Sequence, residues 1–368
     1  MSEIQYINLG NHWKKEKEDL LPIIDEIMSK GVFVGGQQIE DFENAICAYT
    51  GATYCVALNS GTDALICSLV SLGIGPGDEV ITPPNSFIAS TSSIVHVRAK
   101  PVFVDVLPDQ SVDPEQIKSA ITEKTKAIMP VHLTGRMARM DEIKIIAKSH
   151  GLPIIEDSAQ SIGSCYNGKM SGCFGDLGCF STHPLKNLNA CGDGGFVITN
   201  NKALASKIKS MRNHGLVDRN TVEKFGYVSR MDTLQAGILE YRLKHLNSVI
   251  EKRRCNAELY KRNLDTNYIY IPEENSKYFD TFHTFVIQVE KRDELADYLK
   301  NKGIQTAVHY PIPIHLQPAT KSLGYELGDF PVAEKQAENI LTLPINQFLE
   351  EHEILRISSE VNQFLRSS

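Results

Sequence analysis

The sequence has few of the features that mark metal-binding, secreted or membrane proteins. Its eight cysteines are scattered over 368 residues, with no Cys-x-x-Cys pair and no histidine at ligand spacing, which argues against zinc knuckles and a disulfide framework. No apolar run approaches membrane-spanning length, and the N-terminal segment lacks the apolar stretch of a secretory signal. We therefore predict a cytoplasmic protein without a bound metal or membrane association.

An excess of positive charge is also missing. The chain has 38 Lys and Arg against 45 Asp and Glu, a formal net charge of -7 that disfavours a nucleic-acid partner. With 42% hydrophobic and 23% charged residues the composition is that of a globular protein, and the length exceeds what one hydrophobic core usually serves. These features favour an enzyme for small molecules, built from a large and a smaller domain.

Short apolar segments alternate with helical ones over the first 200 residues. Strands are predicted at 52–60, 78–84, 99–106, 125–133, 152–158, 175–183 and 194–200. Helices are predicted between several of them, for example at 37–50, where Ile39, Phe42 and Ile46 share one face and Gly51 follows as a C-terminal cap. This alternation predicts a mostly parallel sheet with helices on both faces.

The pattern changes beyond residue 200. A long helix is predicted from Asp232 to about Leu264, followed by a strand at 282–290 and helices at 292–303 and 331–340. The predicted fold class is therefore α/β, with a large domain built on a mostly parallel mixed sheet and a smaller C-terminal α+β domain. We place the large domain, with an N-terminal helical segment, at 1–245 and the small one at 246–368.

Four chemically distinctive features follow predicted strands. They are Ser60-Gly61-Thr62 at a helix N-terminus, which suits a phosphate; the aromatic Phe87; Asp157 at a strand end, with Gln160 three positions later; and Lys186 after a His-Pro turn. Taken singly, each also fits a common structural role: a turn, a core aromatic, a cap or a surface lysine. Together, at the strand ends of one sheet, they suggest pyridoxal phosphate as cofactor.

The motifs around these residues resemble those of one family over nearly the whole chain. The chain is similar to the sugar aminotransferases of the DegT/DnrJ/EryC1/StrS family, within the aspartate-aminotransferase (fold type I) superfamily. The matching segments are Val34-Gly35-Gly36, Asn59 to Leu65, Gly75 to Val80, Val131 to Gly135, Glu156 to Gln160, Ser181 to Leu188 with Cys191 to Gly195, Ser229 to Asp232 with Gln235-Ala236, and His309-Tyr310-Pro311.

The resemblance implies roles for individual residues. Lys186 would carry the cofactor as a Schiff base and then move the proton between substrate and cofactor. Asp157 would pair with the pyridine nitrogen and favour its protonated form. Gln160 would hydrogen-bond the phenolic oxygen, and Phe87 would stack on the ring. The residues that would hold the phosphate are Ser60, Gly61, Thr62 and Ser181.

The same resemblance implies a homodimer with composite active sites, because Arg230 lies in the segment that reaches the neighbouring subunit's cofactor. One position departs from the family pattern. Relatives usually have Asn two residues before this Arg, where its amide contacts the partner subunit's phosphate, whereas this chain has Val228. Candidate replacements are Ser181, Thr62, the backbone around Gly61, and the hydroxyls of Tyr227 and Ser229.

The implied reaction is amination of a nucleotide-linked keto-deoxy sugar with L-glutamate as donor, giving an amino sugar for lipopolysaccharide, capsule, glycan or antibiotic assembly. Gly192-Asp193, rather than Gly-Glu, points by family analogy to a C3 ketone. Two alternatives stay open: a pyridoxal-phosphate-dependent sugar dehydratase or lyase of the same fold, and a cofactor-binding regulator without turnover. Retention of Lys186, which some dehydrating relatives replace with His, argues against the first.

Overall fold

The computed structural model describes residues 3–273 and 275–367. Its helices are α1 (Leu9–Lys30), α2 (Gln37–Thr50), α3 (Gly61–Ser71), α4 (Ile88–His96), α5 (Pro114–Ala120), α6 (Met140–His150), α7 (Lys202–Met211), α8 (Thr233–Asn263), α9 (Arg292–Asn301), α10 (Pro331–Asn339) and α11 (Glu351–Ser367). Short 3-10 turns occur at Leu133–Gly135, Ile314–Leu316 and Pro318–Leu323.

The strands lie where the apolar segments predicted them, with further short strands between and after them. They are β1 (Tyr54–Leu58), β2 (Glu79–Thr82), β3 (Lys100–Phe103), β4 (Thr125–Ile128), β5 (Ile155–Asp157), β6 (Cys165–Tyr166), β7 (Lys169–Met170), β8 (Leu177–Ser181), β9 (Gly195–Thr199), β10 (Ile269–Tyr270), β11 (Tyr278–Phe279), β12 (Phe285–Val289) and β13 (Ile340–Leu343).

The large sheet is mixed but mostly parallel, as predicted. Its strands run in the orders β1-β9-β8-β5 and β3-β2-β4, and the parallel bridges Ile128–Ile154 and Val131–Asp157 join β4 to β5. In this sheet β9 is antiparallel to both of its neighbours, whereas the β8–β5, β2–β3 and β2–β4 pairs are parallel. The carboxyl ends of β5 and β8 therefore meet at one edge of the sheet, the usual place for a ligand in such a fold.

Local sequence signals set the ends of the helices that carry the predicted site. Ser60 is extended and its hydroxyl accepts a 3.1 Å hydrogen bond from the Asp63 N–H, which fixes the first turn of α3 directly after β1. Gly51 ends α2 with a φ of 78°, a left-handed conformation that glycine adopts without strain. Both ends agree with the sequence-based prediction.

The C-terminal residues form a second hydrophobic core around the antiparallel sheet β10-β12-β13. Ile4, close to the N-terminus, pairs with Ile304 and packs into this same core. Helix α8 runs without interruption from the large sheet to this core, and the predicted domain boundary at 245/246 lies inside it. The exact division stays a prediction. In the two described ranges, no helix is both long and apolar enough for a membrane span.

Candidate active site

Hydrogen bonds hold the loop that carries Lys186 at both of its ends. Strand β8 ends at Ser181, and Thr182 N–H donates to the Gly194 carbonyl at 2.8 Å, which closes the loop at its base. From α8, Arg242 donates to the Asn189 carbonyl at 2.6 Å, and the Gln235 side chain accepts from Cys191 N–H at 2.7 Å. The lysine is therefore fixed by the large sheet and by α8 together.

The predicted phosphate residues lie side by side. A Cβ added to Gly61 would be 2.6 Å from the Ser181 Cβ, so only glycine lets the start of α3 approach the end of β8 so closely. The first N–H groups of α3, those of Gly61 and Thr62, have no hydrogen-bond partner within the described ranges. Free N–H groups at a helix N-terminus beside a serine hydroxyl are suited to a phosphate.

Asp157 ends β5 in a buried position, with 5% of its surface exposed. Its carboxylate accepts hydrogen bonds from the Ser90 hydroxyl at 2.7 Å and from Ala159 N–H at 3.2 Å. Burial raises the pKa of Asp157, and these hydrogen bonds and the charge of Lys186 act against that rise. A buried carboxylate with few cationic neighbours is the partner that a protonated pyridine nitrogen needs, so this residue fits the cofactor.

Lys186 is the cation that acts on Asp157. Burial lowers the pKa of Lys186 to about 8, and the attraction of Asp157 limits the decrease. An amine with this pKa is neutral in about one molecule in ten at pH 7, far more often than an ordinary lysine. It can therefore attack a carbonyl carbon and can also accept and return protons.

Phe87 and Gln160 border the same region. Phe87 precedes α4, is 54% exposed, and its ring centroid lies 5.8 Å from that of Tyr310. The side-chain oxygen of Gln160 accepts a 2.8 Å hydrogen bond from Thr134 N–H, so its amide group is oriented. Burial raises the pKa of Tyr310 to about 12, and a hydrogen bond with Gln160 limits this increase. The tyrosine therefore stays protonated between the aromatic and the amide.

Arg230 lies elsewhere, in a surface groove of about 620 Å³ that does not include Lys186. Its guanidinium donates to the Asn213 side-chain oxygen at 3.0 Å. Asn213 also faces Val228 in an antiparallel bridge, and within the described ranges its amide nitrogen has no hydrogen-bond partner. The hydroxyl of Ser229, one predicted replacement for the family's Asn, is already bound to Asn59. Asn213 is thus an amide donor next to Val228.

Three residues near the site were given no role by sequence reasoning. Ser90 lies one helical turn after Phe87, a spacing that could have indicated a shared face. Thr134 contributes only its backbone N–H, for which no residue type is diagnostic. Tyr310 lay in a matching motif, but its contact with Phe87 joins segments more than 200 residues apart.

The sequence profile of the DegT/DnrJ/EryC1/StrS aminotransferase family matches residues 14–362. The chain belongs to this family. It is 42% identical to the "pleiotropic regulatory protein" of Geobacillus stearothermophilus, with 99% of each chain covered. It is 40% identical to the UDP-N-acetyl-3-dehydro-alpha-D-glucosamine 3-aminotransferase of Acidithiobacillus ferrooxidans, with 98% of each covered. The protein is a pyridoxal-phosphate-dependent sugar aminotransferase.

Solved structures agree on the fold and the cofactor of this aminotransferase. The crystal structure of Streptomyces venezuelae DesV, in complex with a ketimine intermediate, superimposes with a TM-score of 0.97 at 36% identity and 99% coverage of both chains. Bacillus subtilis NtdA, crystallised with its cofactor PMP, gives 0.91 at 34% identity, covering 99% of this chain and 86% of the other. The fold is therefore that of fold type I aminotransferases, and the cofactor is pyridoxal phosphate.

Proposed function

We propose that this aminotransferase transfers the amino group of L-glutamate to the C3 ketone of a nucleotide-linked deoxy sugar. The main support for an amination reaction is the pair formed by Lys186, with its pKa near 8, and the buried Asp157. The C3 position is supported by Gly192-Asp193 and by the names of relatives, which specify 3-amino or 3-oxo sugars. A cytoplasmic location is part of the proposal, because all eight cysteines are free thiols.

The cofactor supplies a conjugated ring that accepts the electron pair released at the substrate carbon. Asp157 would hold the proton on the ring nitrogen, because a buried carboxylate favours a cation beside it. The neutral amine of Lys186 would take the proton from the amino donor's carbon and return it within the same site, and it would do the reverse with the sugar. Lys186 would therefore act in both half-reactions.

The remaining predicted residues would bind and orient the cofactor. The N–H groups of Gly61 and Thr62 and the Ser181 hydroxyl would bind the phosphate, with Ser60 fixing the turn from which those N–H groups project. Phe87 would pack on one face of the ring, where its exposed side chain is available. The Gln160 amide, held by Thr134, would donate to the phenolic oxygen.

We further propose a homodimer in which Arg230 completes the partner's site. Apolar side chains are exposed around the Arg230 groove on adjoining segments: Phe33, Val34, Val217, Val222, Phe225, Tyr227 and Val228. Bridges connect these segments, pairing Val34 with Asp232 and Val228 with Asn213. Exposed apolar side chains grouped on adjoining segments are typical of an interface, and a second copy of the chain is the occupant that would bring Arg230 to a cofactor.

Mixing two inactive variants tests the composite site. A Lys186→Ala chain and an Arg230→Ala chain should form hybrid dimers in which one of the two sites has both residues. Random exchange predicts about a quarter of wild-type activity in an equimolar mixture. The control is the mixture of Lys186→Ala with the Lys186→Ala/Arg230→Ala double variant, which should stay inactive. An impaired Arg230→Ala protein that gains nothing from mixing contradicts the composite site.

The reaction itself is tested by incubating the holoenzyme with L-glutamate and a panel of 3-keto and 4-keto nucleotide sugars. We expect 2-oxoglutarate and a 3-amino sugar in equal amounts, identified by mass spectrometry and NMR. Amination at C4 would contradict the C3 assignment alone. A dehydrated sugar without 2-oxoglutarate would indicate a dehydratase, and cofactor binding without turnover of any sugar would indicate a regulator.

A further inference from the structure

Three arginines are buried in the part of the chain that the structure describes, and they differ in their partners. Arg242 forms an ion pair with the Glu16 carboxylate, and the Arg292 side-chain nitrogen lies 2.5 Å from Asp293. Arg253, with 8% of its surface exposed, has no carboxylate within ion-pair distance among the described residues. A buried guanidinium without a counter-ion is costly, unless a ligand supplies the negative charge.

Only some of the N–H groups of the Arg253 guanidinium have hydrogen-bond acceptors. Its Nη1 donates to the Phe282 and His283 carbonyls, both at 3.1 Å, and its Nη2 contacts the Gln347 side-chain oxygen at 3.4 Å. The Nε is buried and has no hydrogen-bond partner within the described ranges. At least one donor of a planar fork suited to carboxylates is therefore unused.

Arg253 lines a narrow cavity that also contains Lys186. The cavity has a volume of about 60 Å³ and lies between the N-terminal segment, the lysine loop and the C-terminal core. This is the space of roughly two water molecules, far below the roughly 300 Å³ at which pockets begin to hold drug-sized ligands. The space suits a carboxylate group better than a nucleotide.

The other groups around the cavity do not neutralise Arg253. Burial, together with the charge of Lys186, lowers the pKa of His283 and of His309, so both imidazoles are neutral near pH 7. Asn8, Asn346 and Gln347 add uncharged polar groups. His12 lines this cavity and contacts Glu16, but the Glu16 carboxylate is already bound by Arg242. The cavity therefore combines cations and neutral donors.

We propose that Arg253 binds a carboxylate of the amino donor and so positions the donor's amino group at Lys186. The assignment rests on the proposed function, because an amino acid must place its amino-bearing carbon at Lys186 while its charge is neutralised nearby. Arg253 is a binding residue of the amino-acid half-reaction only. The keto sugar carries no carboxylate in the proposed reaction and so gives Arg253 no partner.

The test is a titration of the pyridoxal-phosphate form with glutarate, a dicarboxylate that cannot react, followed by the cofactor's absorbance. Loss of one hydrogen bond to a charged group predicts that Arg253→Gln binds glutarate about 10- to 100-fold more weakly. Arg254→Gln is the matched control: this adjacent arginine donates to the Asp280 carbonyl and stacks on Phe279, but it does not line the cavity. It should bind glutarate like the wild type.

Three further measurements separate the possible outcomes. Single-turnover rates of the pyridoxamine-phosphate form with the keto sugar should be unchanged in Arg253→Gln. If this variant slows the reaction with the sugar but binds glutarate like the wild type, the proposal is overturned. Competition by L-glutamine and L-isoglutamine, which lack the γ- and the α-charge respectively, shows which carboxylate Arg253 binds. Arg253→Lys keeps the positive charge and should therefore recover part of the glutarate affinity. If Arg253→Gln does not fold, Arg253→Lys is used in its place.

Failure of the proposed function can be distinguished from failure of the Arg253 assignment. A wild-type enzyme that gives no 2-oxoglutarate from L-glutamate, with any keto sugar, has another donor. The glutarate titration still decides on Arg253 in that case. Equal glutarate affinity in the wild type, Arg253→Gln and Arg254→Gln overturns the carboxylate site, whichever amino acid is the donor.

Discussion

Replacing Lys186 by Ala is expected to reduce transamination by at least about 10³-fold, because general acid–base catalysis alone contributes on the order of 10² to 10⁴. The variant also loses the amine that captures the cofactor covalently. Folding should be preserved, since the loop is held by Thr182, Asn189 and Cys191 rather than by the lysine. Formation of 2-oxoglutarate under single-turnover conditions measures the loss.

The position and titration of the amine can be checked on the wild-type chain. Borohydride reduction and peptide mapping should find the pyridoxyl group on Lys186, whereas a label on Lys169 or Lys126 would assign the cofactor elsewhere. Capture of pyridoxal phosphate by the apoprotein needs the neutral amine. Because the pKa of Lys186 is lowered to about 8, the capture rate should rise with pH through that value and then level off. A rise centred near the ordinary lysine pKa would contradict the environment described above.

The second large effect is expected at Asp157. Asp157→Asn should slow proton transfer on the order of 10²-fold or more, the scale of removing one fixed electrostatic partner from a reacting group. Burial raises the pKa of Asp157, so at pH values above that pKa the ionised carboxylate opposes folding. The neutral amide removes this cost, and we expect no decrease in the free energy of unfolding. Stopped-flow absorbance with L-glutamate and thermal unfolding measure the two quantities.

Ser90→Ala is the control for this prediction. It removes one hydrogen bond to the carboxylate but leaves its charge, so the rate should fall by no more than about tenfold, which corresponds to a hydrogen bond worth about 1.4 kcal/mol. If Asp157→Asn and Ser90→Ala lose the same small amount of activity, the charge of Asp157 has no part in catalysis. The ring nitrogen would then have another partner.

The sheet could be predicted because local sequence determines its strands, whereas the roles of the site residues rest on the family resemblance and stay predictions. Apolar segments fix the strands, and strand ends at one edge bring Asp157 and Ser181 together. Ser90 and Arg253 could not be found in this way. Both lie on helices among similar residues, and nothing local distinguishes the buried, unpaired Arg253 from its neighbour Arg254, which faces Phe279. That difference arises only when segments distant in sequence pack against α8.

The uninterrupted course of α8 has a mechanical consequence. Gln235 near its start contacts the lysine loop, and Arg253 lies about 27 Å further along the same axis at a rise of about 1.5 Å per residue. The lysine loop therefore lies alongside α8: Gln235 holds it at Cys191, whereas Lys186 shares a cavity with Arg253, close to where α8 packs into the C-terminal core. A small bend in the middle of α8 would be amplified at the far end and would alter how far Arg253 stands from Lys186. If Arg253 binds the amino donor as proposed, the straightness of α8 would help to set the distance between the bound carboxylate and Lys186.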